Sequence, residues 1–248
     1  MSVPDLLFNV SRLDDSSKLA ADPLRLNGLR PGATARVLRR HDDGSLRSAV
    51  VDLPAGFDSG LLAGTAGQQG YVLEGALQAA DAAVPAGSFF FDPPGHRFRW
   101  RANGPVRFIL ICNAAQGYRT ARDEHRKADA LAALAPRDVA VTPSLSNGKP
   151  TGVIRRVLWQ DPVSGADTRH LTIPAGVTGL GAEWHPCNEE IFCLTRDTVT
   201  GDAAPLRPGF FLFNPARGVH GGYRTVNRAE MTLLEWHDGL WALNRHEP

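Results

Sequence analysis

Cysteine is scarce in this chain. Cys112, Cys187 and Cys193 are the only three in 248 residues, an odd number without the paired spacing of a zinc site. That excludes a disulfide-stapled scaffold and fits a reducing compartment, so a cytoplasmic location is expected. An excess of either charge is also lacking. Lys and Arg number 27 against 26 Asp and Glu, a net charge of +1, and the basic residues form no cluster. No nucleic-acid partner is expected. No run approaches the ~18–20 apolar residues of a membrane span. The stretch from Met1 to Pro23 lacks a basic start followed by an apolar core, so neither a membrane partner nor a signal peptide is expected.

What the chain does have is turn formers, apolar residues and an internal echo. Its 25 Gly and 18 Pro dilute the helix formers, while 43 % hydrophobic residues suffice for a core. Arg36-Val37-Leu38 recurs as Arg156-Val157-Leu158, 120 residues on, and each copy lies eighteen residues before a Pro-Ala-Gly. Tyr71-Val72-Leu73 matches Phe192-Cys193-Leu194 at an offset of 121. The run from Gly87 to Pro93 matches Gly209 to Pro215 at 122. Such ordered matches indicate a duplicated unit of roughly 100–120 residues.

The runs inside each copy read as strands. They are short, β-branched or aromatic, and bounded by Gly, Pro or Asp. In the first copy they are Ala35–Arg39, Arg47–Leu53, Gly70–Leu73, Ser88–Phe91 and Arg107–Cys112, with a hairpin turn at His41-Asp42-Asp43-Gly44. In the second they are Gly152–Gln160, Thr168–Ile173, Leu180–His185, Glu189–Leu194, Phe210–Phe213 and Glu230–Glu235. Tyr118–Leu134 is charged and alanine-rich without alternation, and reads as a helix ended before Pro136. The expected class is all-β. Residues 1–34 form an irregular lead-in, 35–115 a first barrel, 116–151 a linker carrying the short helix, and 152–248 a second barrel.

Only the second copy is equipped for chemistry. In a strand, residues two apart share a face, so Glu183 and His185 project together and Trp184 the other way. Pro186-Cys187-Asn188 makes a turn, Glu189 opens the next strand beside His185, and His220 supplies a second imidazole. His185, Glu189 and His220 have the composition of a two-His-one-carboxylate triad, which leaves positions on a divalent ion open for substrate or oxygen. Glu190 competes with Glu189 for the ligand role, and Glu189 is preferred on its spacing from His185. Glu183 is either a fourth ligand or a base beside the ion.

At these residues the chain resembles the cupin superfamily. Glu183-x-His185-x3-Glu189 follows the first cupin motif, with Glu183 where a first His is usual and Arg196 where a Gly closes the motif. Gly209 to His220 follows the second. The tract from Glu189 to Leu194 is similar to that of anti-sigma-factor-type and acetylacetone-dioxygenase-type cupins. The resemblance implies two tandem cupin barrels (double-stranded β-helix, or jelly-roll), the second with one divalent metal ion at Glu183, His185, Glu189 and His220. Iron is favoured; manganese, zinc and nickel are alternatives. It further implies a metal-dependent dioxygenase or carbon–carbon-cleaving enzyme acting on a small oxygenated substrate, with Glu183 as catalytic residue. Rivals are an isomerase or lyase, and a binding or sensing module. Exposed strand edges make a homodimer an expected partner arrangement.

The first copy serves as an internal control. The offsets place Leu62, Gly64, Gln68 and Phe98 where Glu183, His185, Glu189 and His220 stand. That barrel is expected to be structural, or to form an apolar cavity lined partly by Phe89, Phe91, Phe98 and Trp100. His96 lies two positions early and reads as a turn or surface residue. Cys187 reads as packing, and Trp184, Phe211 and Phe213 as core. Arg217 and Tyr223 flank His220 as candidates for the barrel mouth. His41, His125, His170, His237 and His246 have no spacing that recommends them.

Overall fold

Runs rich in Val, Ile, Leu and Phe between glycine turns pair into antiparallel sheets because pleated, half-covered surfaces suit such side chains. A computed structural model describes residues 5–79, 82–121, 130–146, 148–179, 181–198, 206–221 and 226–246. Contacts divide the chain into two units: Lys18–Asp138, and Val139–Pro248 together with the first seventeen residues.

In the first unit the main strands are β2 (Thr34–Arg40), β3 (Leu46–Leu53), β4 (Gln68–Glu74), β5 (Phe89–Asp92), β6 (Val106–Cys112) and β7 (Leu131–Leu134). They lie side by side in the order β2-β3-β6-β4-β5-β7, with Asp22–Pro23 outside β2. In the second unit they are β1 (Arg12–Asp15), β8 (Ile154–Gln160), β9 (Asp167–Ile173), β10 (Glu183–Trp184), β11 (Glu189–Arg196), β12 (Phe210–Asn214), β13 (Met231–His237) and β14 (Asn244–Arg245). The large sheet runs β8-β9-β13-β11-β12-β1, and β10 pairs with β14.

The two orders correspond strand for strand. β2-β3 is the same hairpin as β8-β9: Arg36 stands opposite Val50, and Arg156 opposite His170. The duplication seen in the sequence is thus a duplication of topology. The β2-β3 turn is the expected one: Gly44 at φ 82 donates its N–H to the His41 carbonyl at 2.9 Å, a backbone state that costs glycine little.

Three expectations need correction. The lead-in is not irregular throughout, because Arg12–Asp15 is the edge strand of the second unit's sheet, paired with Phe210–Asn214. It fills the place that β7 takes in the first unit.

The helix expected over 118–134 is not found at its described ends. Tyr118–Thr120 is a strand paired with Leu62–Gly64, and Leu131–Leu134 is a strand paired with β5. Residues 122–129 lie outside the described residues. Among the described residues the only helical turns are the 3-10 segments Ser16–Lys18 and Pro136–Asp138. Sheet pairing and the burial of Tyr118 against Phe98 and Trp100, with ring centroids at 5.4 and 6.1 Å, outweigh alanine's helix propensity.

The expected aromatic lining is only half right. Alternation along β5 puts Phe90, not Phe89 and Phe91, into the interior cluster with Phe98, Trp100 and Phe108. Phe90 fits because Gly70 lies opposite it: a Cβ on Gly70 would stand 2.1 Å from the Phe90 ring.

Among the described residues the second unit has fewer buried apolar side chains. Leu171, Cys193 and Leu233 form its inner cluster, flanked by Val153, Ile173, Ile191 and Met231. Phe211 and Trp236 pack together on the other face of the sheet, with ring centroids at 6.0 Å. The charged residues occupy one end of the inner face.

Candidate metal centre

Backbone pairing brings the ligand-type residues together. Glu183 and His220 form a two-way bridge, each N–H donating to the other's carbonyl at 2.9 Å. The Arg217 N–H donates to the His185 carbonyl at 2.7 Å. Asn188 ties the intervening turn to both sides: it receives the Ala216 N–H at 2.9 Å, and its own amide donates to Asp238 at 2.6 Å. Glu189 thereby enters β11 directly beside His185 and His220.

The side chains converge on Glu189. Its Oε1 lies 3.4 Å from His185 Nε2, and its Oε2 lies 3.3 Å from His220 Nε2. The Asn214 amide donates to Oε2 at 2.7 Å. Each imidazole is held by its other nitrogen: His185 Nδ1 is 3.0 Å from the Ala242 carbonyl and His220 Nδ1 is 2.9 Å from the Gly218 carbonyl. A carbonyl only accepts, so both rings carry their proton on Nδ1 and turn an Nε2 lone pair inward, the arrangement typical of metal-binding histidines. Glu190 alternates to the opposite face and is fully buried there. Of the two glutamates, Glu189 is the one at the site.

The fit to a divalent cation rests on unsatisfied atoms. His185 Nε2, His220 Nε2 and Glu183 Oε2 are buried and have no hydrogen-bond partner, which costs free energy unless something else satisfies them. All three are electron-pair donors, and ligand atoms of their residues lie within 4.8 Å of one another. A divalent cation at their centre would satisfy them together. The donor set of two imidazoles and two carboxylates suits iron, manganese or zinc.

A second group lies against the first and was missed in the sequence. Glu189, Glu235 and His237 also have ligand atoms within 4.8 Å of one another. His237 Nδ1 is 2.6 Å from Asp167 Oδ1, and its Nε2 is 3.5 Å from both Glu189 Oε1 and Glu235 Oε1. Arg169 reaches Asp167 at 2.6 Å and Glu235 at 3.3 Å. Asp167, Arg169, Glu235 and His237 are paired with one another and with Glu189, whereas His185 Nε2, His220 Nε2 and Glu183 Oε2 have no hydrogen-bond partner. His237 had been set aside because its neighbours in sequence carry no motif. The available signal was alternation along Glu235-Trp236-His237, which puts both ionisable residues on one face.

Electrostatics follow from burial. With no ion bound, burial and the neighbouring Glu189 charge push the Glu183 carboxyl up to about 7. Burial also disfavours the Glu189 carboxylate, but the adjacent imidazoles of His220, His237 and His185 outweigh it and hold Glu189 well below the ordinary range. Burial lowers His185. Burial opposes charge on His237 as well, yet its bonds to Asp167 and Glu189 lift it to about 9. Four carboxyl groups (Asp167, Glu183, Glu189 and Glu235) thus share the space with the Arg169 guanidinium and the His237 imidazolium, an imbalance that a dication relieves.

The C-terminal segment covers the site. Trp241 packs on His185 with ring centroids at 5.0 Å, and the Arg169 guanidinium lies 4.5 Å from the Trp241 ring centroid. Arg217 sits at φ 63 with an exposed side chain. Tyr223 lies outside the described residues. Cys187 is buried near the turn, its thiol pushed up to about 12 by burial, which suits packing rather than nucleophilic chemistry.

The first unit repeats the framework without the chemistry. Leu62 pairs with Phe98 where Glu183 pairs with His220. Gln68 takes the place of Glu189 and donates to Asp92 at 2.9 Å, inverting the Asn214-to-Glu189 bond. The Tyr118 hydroxyl donates to Gln68 Oε1 at 2.6 Å. His96 is buried rather than on the surface, with Nε2 3.6 Å from Asp92.

The family profile described as Domain of unknown function (DUF4437) matches residues 9–233. The chain belongs to the DUF4437 family. No curated protein matches this DUF4437 chain. Among solved structures, it is similar to a presumed dioxygenase from Nostoc punctiforme, with 19% identity, a TM-score of 0.76, and coverage of 96% of this chain and 87% of that one. It is also similar to a variant of oxalate decarboxylase from Bacillus subtilis, with 13% identity, a TM-score of 0.53, and coverage of 98% and 80%. A further oxalate decarboxylase structure from that organism, concerned with its Mn(II) centres, matches at 12% identity, a TM-score of 0.54 and the same coverage. Likeness at this identity establishes the fold, which is that of the cupins. Among the described residues no helix is long and apolar enough to cross a membrane.

Proposed function

We propose that this DUF4437 protein is a tandem cupin metalloenzyme whose second barrel holds one divalent ion through Glu183, His185, Glu189 and His220. The observation that carries the reading is the set of three buried, unpartnered ligand atoms gathered around Glu189. A bound ion would supply Lewis acidity to substrate oxygens and, if iron, a site for dioxygen. The protein's part is to hold the two imidazoles by backbone carbonyls, to keep Glu189 ionised and to exclude water beneath Trp241. The reaction class favoured is dioxygenation or carbon–carbon cleavage of a small oxygenated molecule such as a diketone, enol or phenol, in keeping with the presumed dioxygenase among the similar structures.

A redox-silent lyase or isomerase is the second reading. Glu183 favours it, because an unpartnered carboxyl beside the ion can move a proton to or from a bound substrate. The decarboxylase name of the similar oxalate decarboxylase structures is in line with a lyase.

The deciding experiment is elemental analysis of protein purified without chelators, followed by oxygen uptake and product analysis with diketones, catechols and small dicarboxylates. One equivalent of iron with substrate-dependent oxygen uptake is the expected result. One equivalent of manganese and carbon dioxide release without net oxygen uptake would install the second reading. Absence of any bound divalent ion after reconstitution would refute both.

A further inference from the structure

The second unit buries Asp167, Arg169, Glu235 and His237 next to the ligand set, and its sister copy shows that the fold does not require them. Strand register gives the counterparts directly. Glu189 stands opposite His237, and Gln68 opposite Cys112. Arg169 stands opposite Glu235, and Ala49 opposite Leu110. Asp167, two residues before Arg169, corresponds to Arg47, which turns to donate to the Cys112 carbonyl at 3.0 Å. The same sheet therefore forms with Ala49, Leu110 and Cys112 in place of an arginine, a glutamate and a histidine. Burying ionised groups carries a desolvation cost that apolar residues avoid. These four residues accompany the ligand-type residues and are lost with them.

Their geometry identifies what they hold. The Asn214 amide grips Glu189 Oε2, while Oε1 faces His237 Nε2 at 3.5 Å. His237 is fixed from behind by Asp167 at 2.6 Å. Arg169 fixes Asp167 through Nε at 2.7 Å and bridges to Glu235. The chain of contacts runs from Arg169 through Asp167 and His237 to one oxygen of Glu189.

We propose that Asp167, Arg169, Glu235 and His237 form a brace that positions the Glu189 carboxylate for a divalent ion, with His237 as the contacting residue and the other three locking its ring. They are positioning residues rather than ligands, because each already has a protein partner. This rests on the metal reading above. Removing such outer supports typically weakens metal binding ten- to a hundredfold.

The test uses the full chain, stripped of metal and titrated with Mn2+, read by calorimetry and by the EPR spectrum of the bound ion. His237→Leu removes the contact. His237→Gln keeps an amide that can donate to Glu189 as Asn214 does. The double substitution Arg169→Ala with Glu235→Leu installs the sister copy's own pair and guards against a folding failure in the single variant.

The expected result is a ten- to hundredfold weaker Mn2+ affinity and an altered EPR spectrum in His237→Leu and in the double variant, with cooperative melting of the metal-free proteins retained. His237→Gln should recover binding to within a few-fold. Parent-like affinity and spectrum in His237→Leu and the double variant would overturn the brace while leaving the metal site standing. Failure of the parent to bind Mn2+, Fe2+ or Zn2+ would bring down the metal reading and the brace with it.

Discussion

Removing the ion should make the protein lose stability as pH rises, and the size of the effect can be worked from two residues. In the metal-free site, burial and the Glu189 charge move the Glu183 carboxyl from 4.5 to about 7. A carboxyl whose folded value is raised contributes stability that is fully present below 4.5 and lost as pH climbs through 7. The shift corresponds to about 3 kcal/mol when lost in full. His237 acts in the same direction: burial opposes its charge, but its bonds to Asp167 and Glu189 raise it from 6.5 to about 9, so its contribution is present below 6.5 and fades towards 9. His185, lowered by burial, gives the opposite slope only below 6.5. Most of Glu183's contribution is lost between pH 4.5 and 7, and from pH 6.5 to 9 the metal-free protein should melt progressively lower chiefly through His237. Each kcal/mol corresponds to about 2–4 °C for a chain of this size, so the loss of His237's contribution, of about the same size as Glu183's, is worth on the order of 6–12 °C. A bound dication neutralises the carboxylate, and the loaded protein should show a much flatter profile. The assay is differential scanning calorimetry of chelated and Mn2+-loaded protein across that range, with His237→Leu as the control that removes most of the slope of the metal-free curve. A metal-free melting temperature that is flat or rising from pH 6.5 to 9 would refute the electrostatic account of the site.

Three further outcomes are expected. His185→Ala combined with His220→Ala should remove most bound metal, seen by elemental analysis, while the circular dichroism signature of folded sheet persists. Cys187→Ala should retain most turnover, whereas a chelator should abolish it and one divalent ion restore it. Gly70→Ala should cost about 1–3 kcal/mol in urea unfolding by overpacking, since its Cβ would strike Phe90. Phe90→Leu should relieve part of that cost, because the second unit pairs Ile191 with Leu212 at the same place, and strict additivity in the double-mutant cycle would argue against the contact.

The ligand cluster was legible because its members are close in sequence. The two-residue spacing of Glu183 and His185 puts them on one face, and the short turn that follows brings Glu189 near them in sequence. Gly209 to His220 was legible as a second motif at a fixed spacing. The two-unit organisation was legible from the repeats, whose small drift in offset matches single-residue differences in the connections. His237, Glu235, Asp167 and Arg169 were not legible. They are up to 70 residues apart (Asp167 to His237) and meet only because β13 lies between β9 and β11 in the sheet. The edge role of Arg12–Asp15 and the strand character of Tyr118–Thr120 were hidden for the same reason, since each depends on a partner strand far along the chain.

By itself, then, the sequence determined the all-β class, the duplication, the loss of ligands in the first copy and three of the four ligand-type residues as a local constellation. Local patterns determine such things because turn residues, strand alternation and short spacings act within a few residues of one another. Only the tertiary structure decided that Glu189 rather than Glu190 faces the imidazoles, that Asn214 and His237 flank its two oxygens, and that Trp241 and the Ala242 carbonyl close over His185. Those facts depend on strand register, which is set by which side chains the whole sheet can bury together.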